Sequence, residues 1–268
     1  MAFLAVRGPF DLALTTARYR AFGPDLATLM IDGALWRAVG GREVRIAAAP
    51  GGVDVEPLDA ETEPVVRALR GLAFELEPFY AWAAGEPELA PLAARLAGFR
   101  PSLAPDPFEA LVIAITAQQV SLSSATAIRS RLIERFGERV GRAWAFPTRE
   151  RLASATEEEL VAVGFSRRKA EYTVGLARSG LDLAELAALP DDEVKARLVA
   201  VRGLGEWTAD WFLARHLARP RAWPAGDLVL RKAVRSLYGD VDVRAAGDRF
   251  DPFQNLTAHY LLAQFLTP

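Results

Sequence analysis

The chain contains no cysteine. Disulfides, thiolate-held metals and cysteine-held iron–sulfur clusters are therefore excluded. Histidine is almost as scarce. His216 and His259 are the only two, their spacing is not that of metal ligands, and no metal-dependent chemistry is implied. No apolar run approaches the 18 or so residues of a membrane span. The opening MAFLAVRGPFDL lacks the basic start and long apolar core of a secretory signal, so the cytoplasm is the expected compartment. An excess of basic charge is also missing. Against 32 Lys and Arg stand 34 Asp and Glu, giving a net charge of −2 and a pI near 5.9. Many nucleic-acid binders are basic. A nucleic-acid function here would have to rely on backbone amides at helix starts and on cations gathered on one face, with Arg129, Arg131 and Arg167-Arg168-Lys169 as candidates. Its salt dependence would be shallow. There are no internal repeats, and no low-complexity stretch is long enough to be a linker.

What remains is an ordinary globular composition, 51% hydrophobic and 25% charged over 268 residues, enough for one large or two modest domains. Residues 1–62 read as an antiparallel sheet. Runs over 34–39, 43–48 and 53–58 are separated by Gly40-Gly41 and Pro50-Gly51-Gly52. Val44/Ile46 and Val53/Val55 alternate with polar neighbours at period two. Residues 4–7 are expected to join this sheet, and one helix is expected near 25–32. Phe10 and Tyr19 are candidates for a pocket wall, with core or surface packing as the plainer alternative.

From 63 to 268 helical patterns dominate, with 63–105 and the C-terminal helices forming a possible separate subdomain. Helices are expected over 64–82 and 87–97. Asp106-Pro107-Phe108-Glu109 predicts a capped helix start, with Glu109 reaching back as in a capping box. That helix runs out at Gln118-Gln119-Val120-Ser121, which reads equally as a helix end or a solvated loop. Further helices span 124–136, closed by Gly137, and the stretch after Thr156, capped by Thr156 and Glu159. Another covers 167–178 behind Ser166. Three cations at its start oppose the helix dipole, which fits either a phosphate contact or an exposed charged turn.

The densest signal lies between Leu198 and Asp227. Leu198 and Val201 share a helical face. Gly203-Leu204-Gly205 makes a tight corner, and a second helix resumes with Ala209, Phe212 and Leu213 apolar. Its first amides have no intrahelical partner and suit a phosphate. A Pro/Gly loop, Trp223-Pro224-Ala225-Gly226, then delivers Asp227 to another helix, where an N-cap is its simplest role. Trp207 and Trp211 stand at i, i+4 and share a face, as core or as a π-surface.

Together, Leu198-x-x-Val201-x-Gly203-Leu204-Gly205-x-x-Thr208-Ala209 and the loop ending at Asp227 resemble the helix-hairpin-helix DNA glycosylase superfamily. Within it the chain looks most like the bacterial 3-methyladenine DNA glycosylase II branch, from about Asp106 to Tyr260. The missing cysteines separate it from the iron–sulfur members. The resemblance implies an α+β fold, with a small N-terminal sheet and a helical body carrying the hairpin. It implies a monomer that flips and excises alkylated bases from double-stranded DNA and leaves an abasic site. Asp227 would be catalytic, and Trp207 and Trp211 would line the base pocket. Gly203, Leu204, Gly205, Thr208, Gln118, Gln119, Ser121 and Arg168 would face DNA, with Gln119 filling the gap left by the extruded base. Bifunctional members place a nucleophilic Lys where this chain has Trp207, so no lyase step is expected. No cofactor is required. A monovalent cation on hairpin carbonyls is common in the motif class. The chain departs from the branch at its C-terminus. Phe250-Asp251-Pro252-Phe253-Gln254 lacks the usual Trp and Arg, and Leu262 replaces a pocket aromatic, which suggests a more open pocket. The rival readings are a glycosylase for oxidised or deaminated bases, a non-catalytic damage-binding module, and a structural hairpin domain.

Overall fold

A computed structural model describes residues 1–266. The N-terminal part holds β1 (Ala2–Ala5), α1 (Leu12–Thr15), α2 (Ala17–Ala21), β2 (Leu29–Ile31), β3 (Ala34–Val39), β4 (Arg42–Ala49) and β5 (Gly52–Glu56). The strands form one antiparallel sheet in the order β1-β5-β4-β3-β2. Leu35 pairs with Ile46, and Ile46 with Val55. These residues, with Val44 and Val53, turn one face inward and are fully buried. The period-two pattern therefore marks the buried face as expected.

The helix expected over 25–32 does not form. Leu29–Ile31 is a strand, turned onto β3 by Asp32 and Gly33, both at positive φ. Asp-Gly between two apolar runs is a two-residue hairpin signal, and it overrides the weak helical spacing.

The helical body follows as α3 (Thr62–Leu69), α4 (Leu76–Ala83), α5 (Ala90–Arg95), α6 (Pro107–Ala117) and α7 (Leu122–Phe136). A short hairpin, β6 (Glu138–Val140) and β7 (Ala143–Ala145), packs Ala143 against Ala34 and Trp36 of the sheet. Nothing in the sequence pattern announced it. Then come α8 (Arg149–Ala153), α9 (Glu157–Ala162), α10 (Arg167–Arg178), α11 (Asp191–Val199), α12 (Glu206–Arg215), α13 (Leu228–Tyr238), α14 (Val243–Arg249) and α15 (Gln254–Ala263). The single helix expected over 64–82 is two helices. Gly71 breaks it at φ +62°, where a Cβ would lie 2.4 Å from the Pro101 carbonyl. Caps form as predicted at Asp106, Ser166 and Thr156, the last as a full capping box with Glu159.

Two helical cores lie side by side. One gathers α6 to α12 around Leu111, Ile115, Leu132, Leu198 and Phe212. The other joins α4 and α5 to α13 and α15 around Phe79, Leu92, Leu230 and Tyr260. The sheet is bolted to the first core by two buried ion pairs. Arg37 of β3 donates to both carboxylate oxygens of Glu109 on α6, at 2.5 and 3.1 Å, and Arg129 of α7 meets Asp25 at 2.5 Å. Glu109 is therefore not the second half of a capping box, because its carboxylate is held by a strand 72 residues away. Arg129 is likewise no part of a DNA-facing cation cluster. Losing one partner of such a pair strands a buried charge and costs about 3–5 kcal/mol.

Candidate active site

The corner between α11 and α12 is built on Gly203. Its φ of +93° disfavours any side chain, and a Cβ there would lie 2.1 Å from the Tyr172 ring. Leu204 is buried, and its amide donates to the Val201 carbonyl at 3.0 Å, so it anchors the turn from inside. Gly205 is different. It is exposed, has an unstrained φ of −102°, and would have nothing within 4 Å of an added Cβ. The amides of Gly203 and Gly205 have no acceptor among the described residues. They stand at the positive end of α12, an arrangement suited to an anion. From the end of α6, Gln118 crosses to the hairpin and donates from Nε2 to the Gly203 carbonyl at 2.9 Å. Thr208 is buried behind it, Oγ1 3.5 Å from the same nitrogen.

Asp227 lies at the far end of the Pro/Gly loop and caps α13. Its Oδ1 accepts from the amides of Val229 and Leu230 at 2.9 and 3.0 Å. The cap is only half of what it does. Its Oδ2 accepts from the indole Nε1 of both Trp207 and Trp211, each at 3.1 Å. A carboxylate has about four lone-pair sites, and here four N–H donors from two helices take them. The group is thereby held in one orientation against α12.

Beyond the indoles opens a cavity of about 110 Å³ between the sheet domain and the helical body. Trp207, Trp211, Phe212, Ile113 and Leu103 supply much of its apolar wall. Phe10 and Tyr19 both pack against the sheet core, and of the two only Tyr19 also stands on the wall. Arg18 and Arg215 line it as well. The Arg215 guanidinium lies 3.8 Å from the centre of the Trp211 ring. Burial, and then Arg18, pull its pKa down to about 9, against the raising pull of Asp227, so it stays charged at neutral pH.

The helix-hairpin-helix pattern lies within a longer family match. A family model described as HhH-GPD superfamily base excision DNA repair protein matches residues 112–246, half of the sequence. This chain belongs to the HhH-GPD superfamily. A DNA-3-methyladenine glycosylase of Bacillus subtilis is 33% identical over 171 residues, 61% of this chain and 56% of that one. The chain spans little more than half the length of the first curated relatives it matches. The solved 3-methyladenine DNA glycosylase of Archaeoglobus fulgidus superposes with a TM-score of 0.87 at 28% identity, covering 98% of this chain and 97% of that one. The 8-oxoguanine glycosylase/lyase of Clostridium acetobutylicum, at 19% identity and a TM-score of 0.82 over 98% and 97% of the two chains, shares the fold.

On this HhH-GPD frame the remaining candidates divide. Gln119 is exposed at φ +56°, at the turn between α6 and α7, and Val120 and Leu122 beside it are exposed apolar residues. Ser121 caps α7 through the Ser124 amide. Arg168 is exposed at the start of α10, whereas the neighbouring Lys169 turns inward to the Thr116 carbonyl at 2.9 Å. Lys169 therefore joins neither a phosphate contact nor an exposed charged turn. Arg131 donates to the Val163 carbonyl. Trp211 is buried, and one face of its ring is already covered by Arg215, so it is no open π-surface. Sequence reasoning passed over Arg18 and Arg215. A signal for Arg215 was present, since 207, 211 and 215 recur every four residues along one helical face.

Proposed function

We propose that this chain is a monofunctional DNA glycosylase that excises alkylated bases, of the 3-methyladenine and 7-methylguanine type, from double-stranded DNA. The observation that carries the reading is Asp227, held by four N–H donors, two of them the indoles of Trp207 and Trp211 that line the cavity. A target base inside a duplex is out of reach, so the nucleotide is turned out into the cavity. The hairpin grips a backbone phosphate through the amides of Gly203 and Gly205. Gln119, with Val120 and Leu122, fills the vacated stack, and Arg168 meets a further phosphate.

Breaking the N-glycosidic bond puts positive charge on the deoxyribose, as in glycoside hydrolysis. A methylated purine departs as a neutral base, so leaving-group protonation is not needed; water adds to the sugar carbon it leaves, and the proton of that water passes to solvent. With both oxygens of Asp227 already accepting, its contribution is fixed negative charge rather than proton abstraction. At about 4 Å and an effective dielectric of about 20, that charge is worth about 4 kcal/mol to the cationic transition state. Position 207 is Trp, which cannot form an imine, so the strand is not cut by a Schiff-base step. The reading includes action as a monomer in the cytoplasm without an obligatory cofactor. A monovalent cation on the hairpin would share the Gly203 carbonyl with Gln118.

Single-turnover release of free bases from methylated duplex DNA tests this. The wild type should release methylated purines. Asp227→Asn keeps the Oδ1 cap but replaces charge with an amide, and release should fall about 10²–10³-fold while abasic duplex is still bound. Release by the variant within threefold of wild type would remove Asp227 from the chemistry. Absence of release by the wild type, with damaged DNA still bound, would favour a non-catalytic binding module.

A further inference from the structure

Four arginines, Arg18, Arg37, Arg129 and Arg215, line the cavity against two carboxylates, Asp25 and Glu109. Its two carboxylates are engaged, Glu109 by Arg37 and Asp25 by Arg129. Arg215 has no such partner. No hydrogen bond from its guanidinium to another described residue exists, and its Nε is buried without an acceptor. Buried donors of this kind are costly to leave unpaired. The cation instead lies on the Trp211 ring, 3.8 Å from its centre. Trp211 in turn holds Asp227 through its indole nitrogen. One side chain thus separates the carboxylate from a guanidinium with five donors and no acceptor. Arg18, the other cavity cation without a carboxylate partner, adds to the positive potential there.

We infer that Arg215 is a specificity-determining residue of the base pocket, donating to the carbonyl oxygen of an extruded 6-oxopurine and disfavouring 6-aminopurines. This rests on the glycosylase reading above. The chemistry is that of donor matching. A 6-oxopurine such as 7-methylguanine or hypoxanthine offers O6, and hypoxanthine offers N7 as well, the edge an arginine fork fits. A 6-aminopurine such as 3-methyladenine turns N–H groups toward the guanidinium in place of O6 and leaves N7 as the only acceptor on that edge, so one arm of the fork meets a donor.

The test measures 7-methylguanine and 3-methyladenine released from one sample of methylated duplex, so that any loss of folded protein cancels in the ratio. Arg215→Met keeps the stem and removes the donors. It should lower the 7-methylguanine to 3-methyladenine rate ratio about tenfold, with Arg215→Lys recovering part of it. A ratio within twofold of wild type in Arg215→Met would overturn the inference. Binding of free hypoxanthine and adenine, followed by tryptophan fluorescence, supplies a readout independent of turnover. Wild type should prefer hypoxanthine and Arg215→Met should not, whereas equal binding of the two bases by the wild type counts against the inference. A base preference without any excision would sink the glycosylase reading and leave Arg215 as a base reader. Excision whose selectivity ignores Arg215 would sink only the present inference.

Discussion

The two glycines of the hairpin should respond to alanine in opposite ways. At Gly203 the backbone stands at φ +93°, and the new Cβ would lie 2.1 Å from Cγ of Tyr172 and 2.5 Å from Cδ2. The backbone penalty is about 1–2 kcal/mol, and moving a packed ring adds about 1–3 kcal/mol. Gly203→Ala should therefore lose about 2–5 kcal/mol, a large part of the ~5–15 kcal/mol that holds a typical domain together. At Gly205 φ is −102° and the Cβ meets nothing within 4 Å. A slightly poorer N-cap is offset by lower entropy of the unfolded chain, so stability should hardly move. The methyl would stand where a phosphate approaches the amides, and affinity for abasic duplex should fall about tenfold, near the cost of one lost charge-assisted hydrogen bond. Because amides rather than cations hold that phosphate, the slope of affinity against salt should stay as it is. Urea unfolding and DNA titrations at several salt concentrations separate the two effects. If Gly205→Ala binds DNA as tightly as wild type, or if Gly203→Ala is as stable as wild type, the assignment of one structural and one DNA-facing glycine is wrong.

Two further outcomes follow from the charges. Glu206, exposed at the first turn of α12 and paired with Arg244 at 3.0 Å, puts negative charge beside the phosphate position. Glu206→Gln should tighten duplex binding by about two- to fivefold at low salt, an advantage that fades as salt rises; weaker binding would place the phosphate elsewhere. His259 is buried, and burial, then Arg215, lower its pKa to about 3 from an unfolded value near 6.5. Between those values the unfolded chain takes up a proton that the folded chain refuses. Its stability contribution is thus intact above about pH 6.5 and is lost as pH falls, at up to about 1.4 kcal/mol per pH unit. His216, also lowered by burial, acts in the same direction. Urea midpoints from pH 7 to 4.5 should fall more steeply for wild type than for His259→Gln, and parallel slopes would count against this account.

The order of strands and helices was largely legible because its signals are local. Period-two alternation marked β4 and β5, Gly40-Gly41 bounded the run that became β3, and Asp106, Thr156 and Ser166 cap helices within three residues of themselves. Where local signals compete, the reading failed. The Asp-Gly turn before β3 made a strand where a helix was expected, and the positive φ at Gly71 ended a helix that apolar spacing alone would have continued.

The hairpin, its two glycines and the loop leading to Asp227 are written in the residue order, since a corner and a cap need only neighbouring residues. What surrounds them is not. That both indoles donate to one carboxylate oxygen across 16 and 20 residues depends on how α12 lies against α13. That Glu109 serves Arg37 rather than its own helix start depends on where the sheet docks. That Arg215 stands without an acceptor in a cavity whose two carboxylates are held by Arg129 and Arg37 depends on which remote side chains meet there. Hydrogen-bond and charge partners are settled by distance in space, and distance in space between remote residues exists only once the chain has packed.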